Sequence, residues 1–198
     1  MKIVFASHNK GKVREIKKML EGMEIDLVSL NDYASAPAIV EDGKSFLENA
    51  FKKAKIVAEF TGETVLADDS GLQVEALGGE PGIYSSRYAG ENATDEENIN
   101  KLLAKLKDIP QEKRSAFFCC VLVIYRIDGS HDFFEGKWRG QIIDEPRGNN
   151  GFGYDPIFLV PELKMTAAEL PAEIKNKISH RGQAFAQLKR SLGGRSNN

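Results

Sequence analysis

The stretch Val65-Leu66-Ala67-Asp68-Asp69-Ser70-Gly71 decides how the rest of the chain is read. A short apolar run, of the kind that fills a buried strand, ends in two carboxylates, a hydroxyl and a glycine. Adjacent carboxylates repel each other and resist burial without a partner. A divalent cation is one natural partner, and Mg²⁺ prefers oxygen ligands of this kind. The acidic half is expected at the strand's end, where a sheet meets solvent. Asp, Ser and Gly also favour plain turns. On its own, the stretch leaves both a metal site and a turn open.

Outward from this stretch, composition narrows the choice. The 198 residues suffice for one domain with a real core, or for two small lobes sharing a sheet. Hydrophobic content of 41% and charged content of 28% are those of an ordinary globular protein. Basic and acidic residues number 27 and 29, a net charge of −2, so no global positive field invites a nucleic-acid polymer. The apolar run Ile3–Ala6 is far too short for a signal sequence, and nothing resembles a membrane span. Cys119 and Cys120 are neighbours inside an apolar run. They are expected as buried free thiols on opposite faces of a strand, in a reduced, cytoplasmic protein.

On the N-terminal side, Lys2–Ala6 reads as a strand and Ser7-His8-Asn9-Lys10-Gly11-Lys12 as a polar loop. Val13, Ile16 and Leu20 then recur at helical spacing. Free N–H groups at a helix start favour an anion, and Lys10 and Lys12 add charge. The loop lacks the GxxxxGK[ST] pattern, so a solvated turn stays open. Ile25–Leu30 reads as a second strand and Asn31–Lys44 as loop, carrying Glu41-Asp42-Gly43. A helix follows over about Ser45–Phe60. Its Lys53 borders the apolar arc, either snorkelling or presenting its ammonium over a cleft, with Asn49 one turn earlier facing the same way.

On the C-terminal side, Leu72 and Val74 suggest a brief strand. Ile83–Gly90 has no clear element. Thr94 and Glu97 form a capping box before a helix carrying Ile99, Leu102 and Leu106 inward. Ser115–Ile127 is the longest apolar segment and is expected as a central strand, turned back by Asp128-Gly129 into His131–Phe134 and, after Gly136, Trp138–Ile143. Gly151-Phe152-Gly153-Tyr154-Asp155-Pro156 reads as an exposed aromatic loop. Phe152 either stacks on a base or plugs the sheet edge together with Tyr154. Ser179 is a candidate N-cap for a last helix, ended by Gly193-Gly194, with residues 195–198 as a frayed tail. That places His180 and Arg181 in a first turn, where the helix dipole disfavours cations. An anionic ligand or a surface charge pair would remove the conflict. The fold class expected is α/β, with a long mixed sheet flanked by helices, forming one domain of two lobes over residues 1–198 with a nucleotide-binding cleft between them.

Two carboxylates, a distant Glu41, several cations at loop–helix junctions and one exposed aromatic suit a metal–nucleoside polyphosphate. No Ser or Cys comes with a recognisable base and orienter, which favours direct attack by water. The chain also resembles the inosine triphosphate pyrophosphatase-like family, the non-canonical purine NTP pyrophosphatases or XTP/dITP diphosphatases. The likeness is carried in order by SHNKGK (Ser7–Lys12), ENAFKKA (Glu48–Ala54), LADDSGL (Leu66–Leu72), LGGEPGIYSSRYAG (Leu77–Gly90), GFGYDPIF (Gly151–Phe158) and ISHRGQA (Ile178–Ala184). Ser86 stands where many relatives carry alanine.

The resemblance implies Mg²⁺-dependent hydrolysis of ITP, dITP or XTP to monophosphate and pyrophosphate, by a homodimer. It implies a phosphate loop at Ser7, His8, Asn9, Lys10, Gly11 and Lys12, with Lys53 reaching the triphosphate. Asp69 would be proton acceptor and metal partner, with Glu41 and Asp68 as further acidic residues and Ser70 against the nucleotide. Phe152, Gly153, Tyr154 and Asp155 would shape the base pocket, and Lys175, His180 and Arg181 would close over base and phosphates. Donors such as His180 and Arg181 would accept a 6-keto oxygen and oppose a 6-amino group. Two other classes are set beside this one. A nucleotide-binding regulatory protein without turnover would release no pyrophosphate. An RNA- or DNA-binding module would need a basic stripe interleaved with aromatics, which the chain lacks.

Overall fold

A computed structural model describes residues 1–194; the tail expected at 195–198 lies outside the described residues. Strand β1 (Lys2–Phe5), helix α1 (Lys10–Leu20) and strand β2 (Asp26–Ser29) open the chain. β2 lies parallel to β1, Lys2 opposite Asp26 and Phe5 opposite Ser29, so α1 is a crossover. Helix α2 (Phe46–Thr61) makes the next crossover. Ser45 caps its start by accepting from the Glu48 N–H, and Gly62 ends it in the left-handed region at φ 67°. Strand β3 (Val65–Val74) is again parallel to β1, with Val4 opposite Val65.

After helix α3 (Asp95–Leu106) come strands β4 (Ser115–Tyr125), β5 (His131–Ile142), β6 (Phe158–Val160) and β7 (Met165–Thr166), then helices α4 (Ala172–Ile178) and α5 (His180–Gly194). The strands form one seven-stranded sheet in the order β2-β1-β3-β4-β5-β6-β7. β6 is antiparallel to both β5 and β7, so the sheet is mixed, with β4 at its centre as its apolar sequence predicts. Thr94 and Glu97 form the expected capping box on α3.

Three elements differ from expectation. β3 does not stop at the carboxylates: it continues through Asp68-Asp69-Ser70-Gly71 to Val74, with Asp68 and Asp69 buried. β5 runs unbroken through Gly136. Ser179 is the C-cap of α4, and α5 runs on through Gly193 and Gly194. The Ile83–Gly90 stretch is largely a 3-10 turn over Gly82–Arg87.

The chain divides into two compact units, one of Met1–Asp69, Cys120–Gly136 and the described residues from Arg181, the other of Ser70–Cys119 and Lys137–His180. In the first unit, the strand period of two sorts side chains to two cores. Ile3, Phe5, Leu66 and Leu122 pack with Ile16 and Leu188 in one, while Val4, Val65, Ala67 and Val123 pack with Ala50, Ala54 and Val57 in the other. The second unit has its own core of Leu72, Leu102, Phe118, Trp138, Ile157 and Phe158. Each fully buried Leu or Ile contributes about 1.5–3 kcal/mol. Cys119 and Cys120 are both free thiols. No helix among the described residues is long and apolar enough to cross a membrane.

Candidate active site

In the first unit, Asp68 and Asp69 are successive strand residues and so point to opposite faces of β3. On one face, Asp68 Oδ2 lies 2.9 Å from Lys12 Nζ and 3.3 Å from Arg181 Nη2. Arg181 also donates to Glu15 of α1. Burial alone would push the Asp68 carboxyl up, but the cations Lys12, Arg181 and Lys53 outweigh it and hold the group well below the usual range. Arg181 is raised in turn: burial opposes its charge, and Glu15 and Asp68 more than compensate. Two carboxylates therefore resolve the conflict of a cation at the α5 N-terminus, in a buried network rather than a surface pair.

On the other face, Asp69 Oδ2 accepts from Asn49 Nδ2 at 3.0 Å, and Oδ1 lies 3.9 Å from Lys53 Nζ. Lys53 Nζ is also 2.6 Å from Glu41 Oε1. Asn49 and Lys53 sit one turn apart on α2, which aims both at the same place. Glu41 is held there by a close backbone approach. The Gly43 N–H donates to Asn49 Oδ1 at 2.8 Å, and a Cβ on Gly43 would come within 2.6 Å of that oxygen and 2.9 Å of Glu48 Cβ. Burial raises the Asp69 carboxyl and the Glu41 charge adds to the shift, against the opposing pull of Lys53, Lys12 and Asn49. Lys53 is raised as well, because Asp68, Asp69 and Glu41 outweigh the burial that would lower it. Of two neighbouring aspartates, one is locked as an anion and the other is held toward protonation.

The expected phosphate loop is partly helix. Asn9 is the N-cap of α1, its Oδ1 accepting from the Lys12 N–H at 3.0 Å, so Lys10, Gly11 and Lys12 form the first turn. Ser7 Oγ accepts from the Asn9 N–H at 3.2 Å. His8 pairs through Nδ1 with Asn31 Oδ1 at 2.7 Å. Lys10 lines a groove along α1 with Val13, Arg14 and Lys17. Of this stretch, only Lys12 has a side chain that pairs with the β3 carboxylates among the described residues.

The second unit builds a different constellation. Lys175 of α4 lies 2.6 Å from Asp155 Oδ2, which also accepts from the Phe152 N–H at 2.9 Å. The Lys175 ammonium is 5.3 Å from the centroid of the Phe152 ring, in cation–π range. Gly151 sits at φ +79°, and a Cβ there would come within 2.9 Å of Asp155 Cγ. The two aromatics of this loop separate: Phe152 is half-buried, whereas Tyr154 is buried and donates its hydroxyl to the Ser85 carbonyl at 2.8 Å. Burial raises the Tyr154 phenol. Gly153 donates its N–H to Asp95 Oδ2 at 2.6 Å. His180 is buried and stacks on Phe118 at 4.9 Å and 16°. Ser70 is half-buried on β3.

The sequence-predicted residues thus gather as two groups: Lys12, Glu41, Lys53, Asp68, Asp69 and Arg181 in the first unit, and Phe152, Asp155 and Lys175 in the second. Glu15 and Asp95 carried no prediction. Glu15 lies one helical turn after Lys12, and that spacing is the signal that could have paired it with the same network.

The sequence model of the Ham1 family matches residues 3–191. The chain belongs to the Ham1 family. A dITP/XTP pyrophosphatase of Geobacter sulfurreducens is 52% identical over 192 residues, 97% of this chain and 96% of its own. One from Vibrio cholerae is 48% identical over 193 residues, 96% of each chain. Among solved structures, a HAM1 protein from Coxiella burnetii is 46% identical, covering 98% of this chain and 99% of its own, with a TM-score of 0.89. The Staphylococcus aureus Ham1 protein is 44% identical with a TM-score of 0.88, over 98% of this chain. The open mixed sheet flanked by helices is the fold of these Ham1 structures, and the likeness carried by the six ordered motifs extends along nearly the whole chain.

Proposed function

We propose that this chain is a nucleoside triphosphate pyrophosphohydrolase that converts dITP, XTP and ITP to the monophosphate and pyrophosphate, clearing aberrant purine nucleotides from the precursor pool. The observation that carries the reading is the Asp69 cluster, in a chain about half identical, end to end, to dITP/XTP pyrophosphatases. Asp69 is a buried carboxylate whose pKa is raised, placed beside an ammonium and a second carboxylate. A carboxylate raised in this way is a stronger base than an ordinary one, which suits a proton acceptor.

In the proposed reaction, water adds to a phosphorus of the triphosphate and gives up a proton to Asp69. The phosphoanhydride P–O bond breaks, and its electron pair leaves on oxygen. Lys53 and Lys12 stand where they neutralise charge gathering on phosphate oxygens. Asn49 holds the Asp69 carboxylate through Oδ2. Ser7, His8, Asn9, Lys10 and Gly11 surround the α1 start, where backbone donors suit phosphate. Phe152, with Gly153, Tyr154 and Asp155, is assigned to the purine, and Lys175, His180 and Arg181 to base and phosphate discrimination. Ser70 lies against the nucleotide.

A divalent metal is typical of nucleotide pyrophosphatases, and Mg²⁺ is the ion proposed here. Among the described residues no three His, Cys, Asp or Glu side chains form a ready metal cluster. Mg²⁺ needs only one or two carboxylates beside water and phosphate oxygens. Glu41 and Asp69 fit that need: they converge on Lys53 and repel each other. Asp68 fits less well, because its Oδ2 serves Lys12 and Arg181. When bound, Mg²⁺ would draw charge from the phosphate oxygens. Family likeness also supports a cytoplasmic homodimer, to be checked by light scattering.

The test is a panel of nucleoside triphosphates with Mg²⁺, quantifying pyrophosphate and inorganic phosphate. Pyrophosphate from dITP, XTP and ITP, with little from ATP or GTP, is expected. A folded protein that binds dITP without releasing pyrophosphate would instead be a regulatory binder. Turnover in ¹⁸O water then locates the attacked phosphorus by the product that carries the label.

A further inference from the structure

The Phe152 ring can serve a purine only if its backbone is fixed, and two carboxylates flank that backbone. Asp155 Oδ2 accepts the N–H of Phe152 itself at 2.9 Å. Asp95 Oδ2 accepts the next N–H, that of Gly153, at 2.6 Å. The two bonds hold the peptides on either side of the Phe152 Cα. Asp155 is in turn tied to Lys175, whereas Asp95 belongs to the first turn of α3, 58 positions away in sequence. The Thr94–Glu97 capping box at the start of that helix does not use the Asp95 side chain. Gly153 itself sits at φ +61° with nothing within 4 Å of an added Cβ. Its glycine therefore serves the left-handed backbone angle and not a lack of room.

We propose that Asp95 is a positioning residue for substrate selection: it fixes the Gly151–Asp155 loop so that the Phe152 ring meets the purine in one pose. The inference rests on the assignment of Phe152 to the base. Asp95 touches no reacting atom, so its loss acts on binding rather than on the chemical step. Losing a hydrogen bond that fixes the loop weakens productive binding about tenfold.

Asp95→Ala is expected to raise KM for dITP about tenfold with kcat within about twofold of wild type. Asp95→Asn and Asp95→Glu separate this role from a helix-dipole role. Asn keeps an acceptor oxygen at the same reach and gives up the charge; Glu keeps the charge and displaces the oxygen. Positioning requires Asn to restore a near-normal KM and Glu to leave it raised. A purely helix-stabilising role requires the reverse order, with melting temperature following charge. Should Asp95→Ala fail to fold, the Asn and Glu variants decide alone. Equal KM for all variants, or kcat falling with KM unchanged, overturns the inference. Wild-type protein that releases no pyrophosphate from dITP overturns the functional reading instead, and is seen before any variant is made.

Discussion

Lys53 and Lys175 are both buried lysines whose ammonium lies 2.6 Å from a carboxylate oxygen, yet their surroundings differ in kind. Around Lys53, in the first unit, Lys12, Lys53 and Arg181 face Glu15, Glu41, Asp68 and Asp69. Burial, with the Glu41 charge adding to it, raises the pKa of Asp69 despite the cations beside it. Around Lys175, in the second unit, one ammonium meets Asp155 and an aromatic ring, and nearby His180 packs among Phe118 and Trp138. A buried cluster in which one carboxylate is raised beside a second suits a proton, a metal ion or both. A balanced pair among aromatic rings suits recognition of a flat, neutral base. The first region is expected to govern kcat and stability, and the second selectivity.

The largest effect tests the first half of that division. Asp69→Asn removes the proton acceptor while keeping shape and the contact with Asn49. Turnover of dITP is expected to fall about 10²–10⁴-fold with circular dichroism and melting temperature nearly unchanged. Near-normal turnover would break the comparison at its root.

Asp68→Asn is expected to act on stability instead. It leaves Lys12 and Arg181 without their shared buried partner, which costs roughly 3 kcal/mol or more, or about 10 °C in melting temperature for a chain of this size. Asp68 has its pKa depressed by folding, so its stabilisation is full above the ordinary carboxylate range and is lost as pH falls toward the folded-state value. The gap between wild type and D68N should therefore narrow below about pH 4. A gap that does not change with pH would mean that Asp68 acts through packing alone.

For the second region, His180→Ala removes the ring stacked on Phe118 and a donor assigned to the 6-keto oxygen. Discrimination between dITP and dATP is expected to drop about tenfold with little change in turnover of dITP. Unchanged relative kcat/KM values would strip His180 of that role and leave it a core residue.

The same division runs between two adjacent thiols. Cys120, in the first unit, is buried, and burial pushes its pKa up to about 12. Cys119, in the second, is half-buried and donates to Gln73 Oε1 at 3.2 Å. At pH 8 only about 10⁻⁴ of Cys120 would be thiolate. A thiol reagent should therefore titrate one cysteine in the native protein and the second only on unfolding. Rapid reaction of both would mean that β4 opens readily around Cys120.

These contrasts also show what the sequence could and could not reveal. Strand and helix periodicity located β1, α1, α2 and β4 within a few residues, because apolar spacing follows directly from burial. The capping box at Thr94 was legible because its partners are three residues apart. The course of β3 is not legible in this way: two adjacent aspartates look like a strand end unless their partners are known. Those partners, Lys12, Arg181, Asn49 and Lys53, come from distant segments that only the folded chain brings together. Arg181 shows the same limit. Its position at a helix start raised a real electrostatic conflict, but Glu15, which helps resolve it, lies 166 positions away.

The smallest expected effect decides which acid of the Glu41-Asp42 pair matters. Lys52 and Lys53 are sequence neighbours on α2, and each reaches back to this segment: Lys52 to Asp42 at 2.5 Å, Lys53 to Glu41 at 2.6 Å. Helical geometry turns their side chains about 100° apart, so Lys52 is half-buried while Lys53 is buried. The pKa of Asp42 is lowered by its bond to Lys52, but an exposed pair is screened by solvent and contributes little. Lys52→Ala should leave melting temperature and pyrophosphate release within experimental error, whereas Lys53→Met should cripple turnover. Two outcomes carry different meanings. A loss in K52A matching that in K53M would move the functional acid from Glu41 to Asp42 and dissolve the distinction between the two lysines. A silent K52A beside a crippled K53M would set Asp42 aside and leave Glu41, paired with the buried lysine that also faces Asp69, as the acid of this segment.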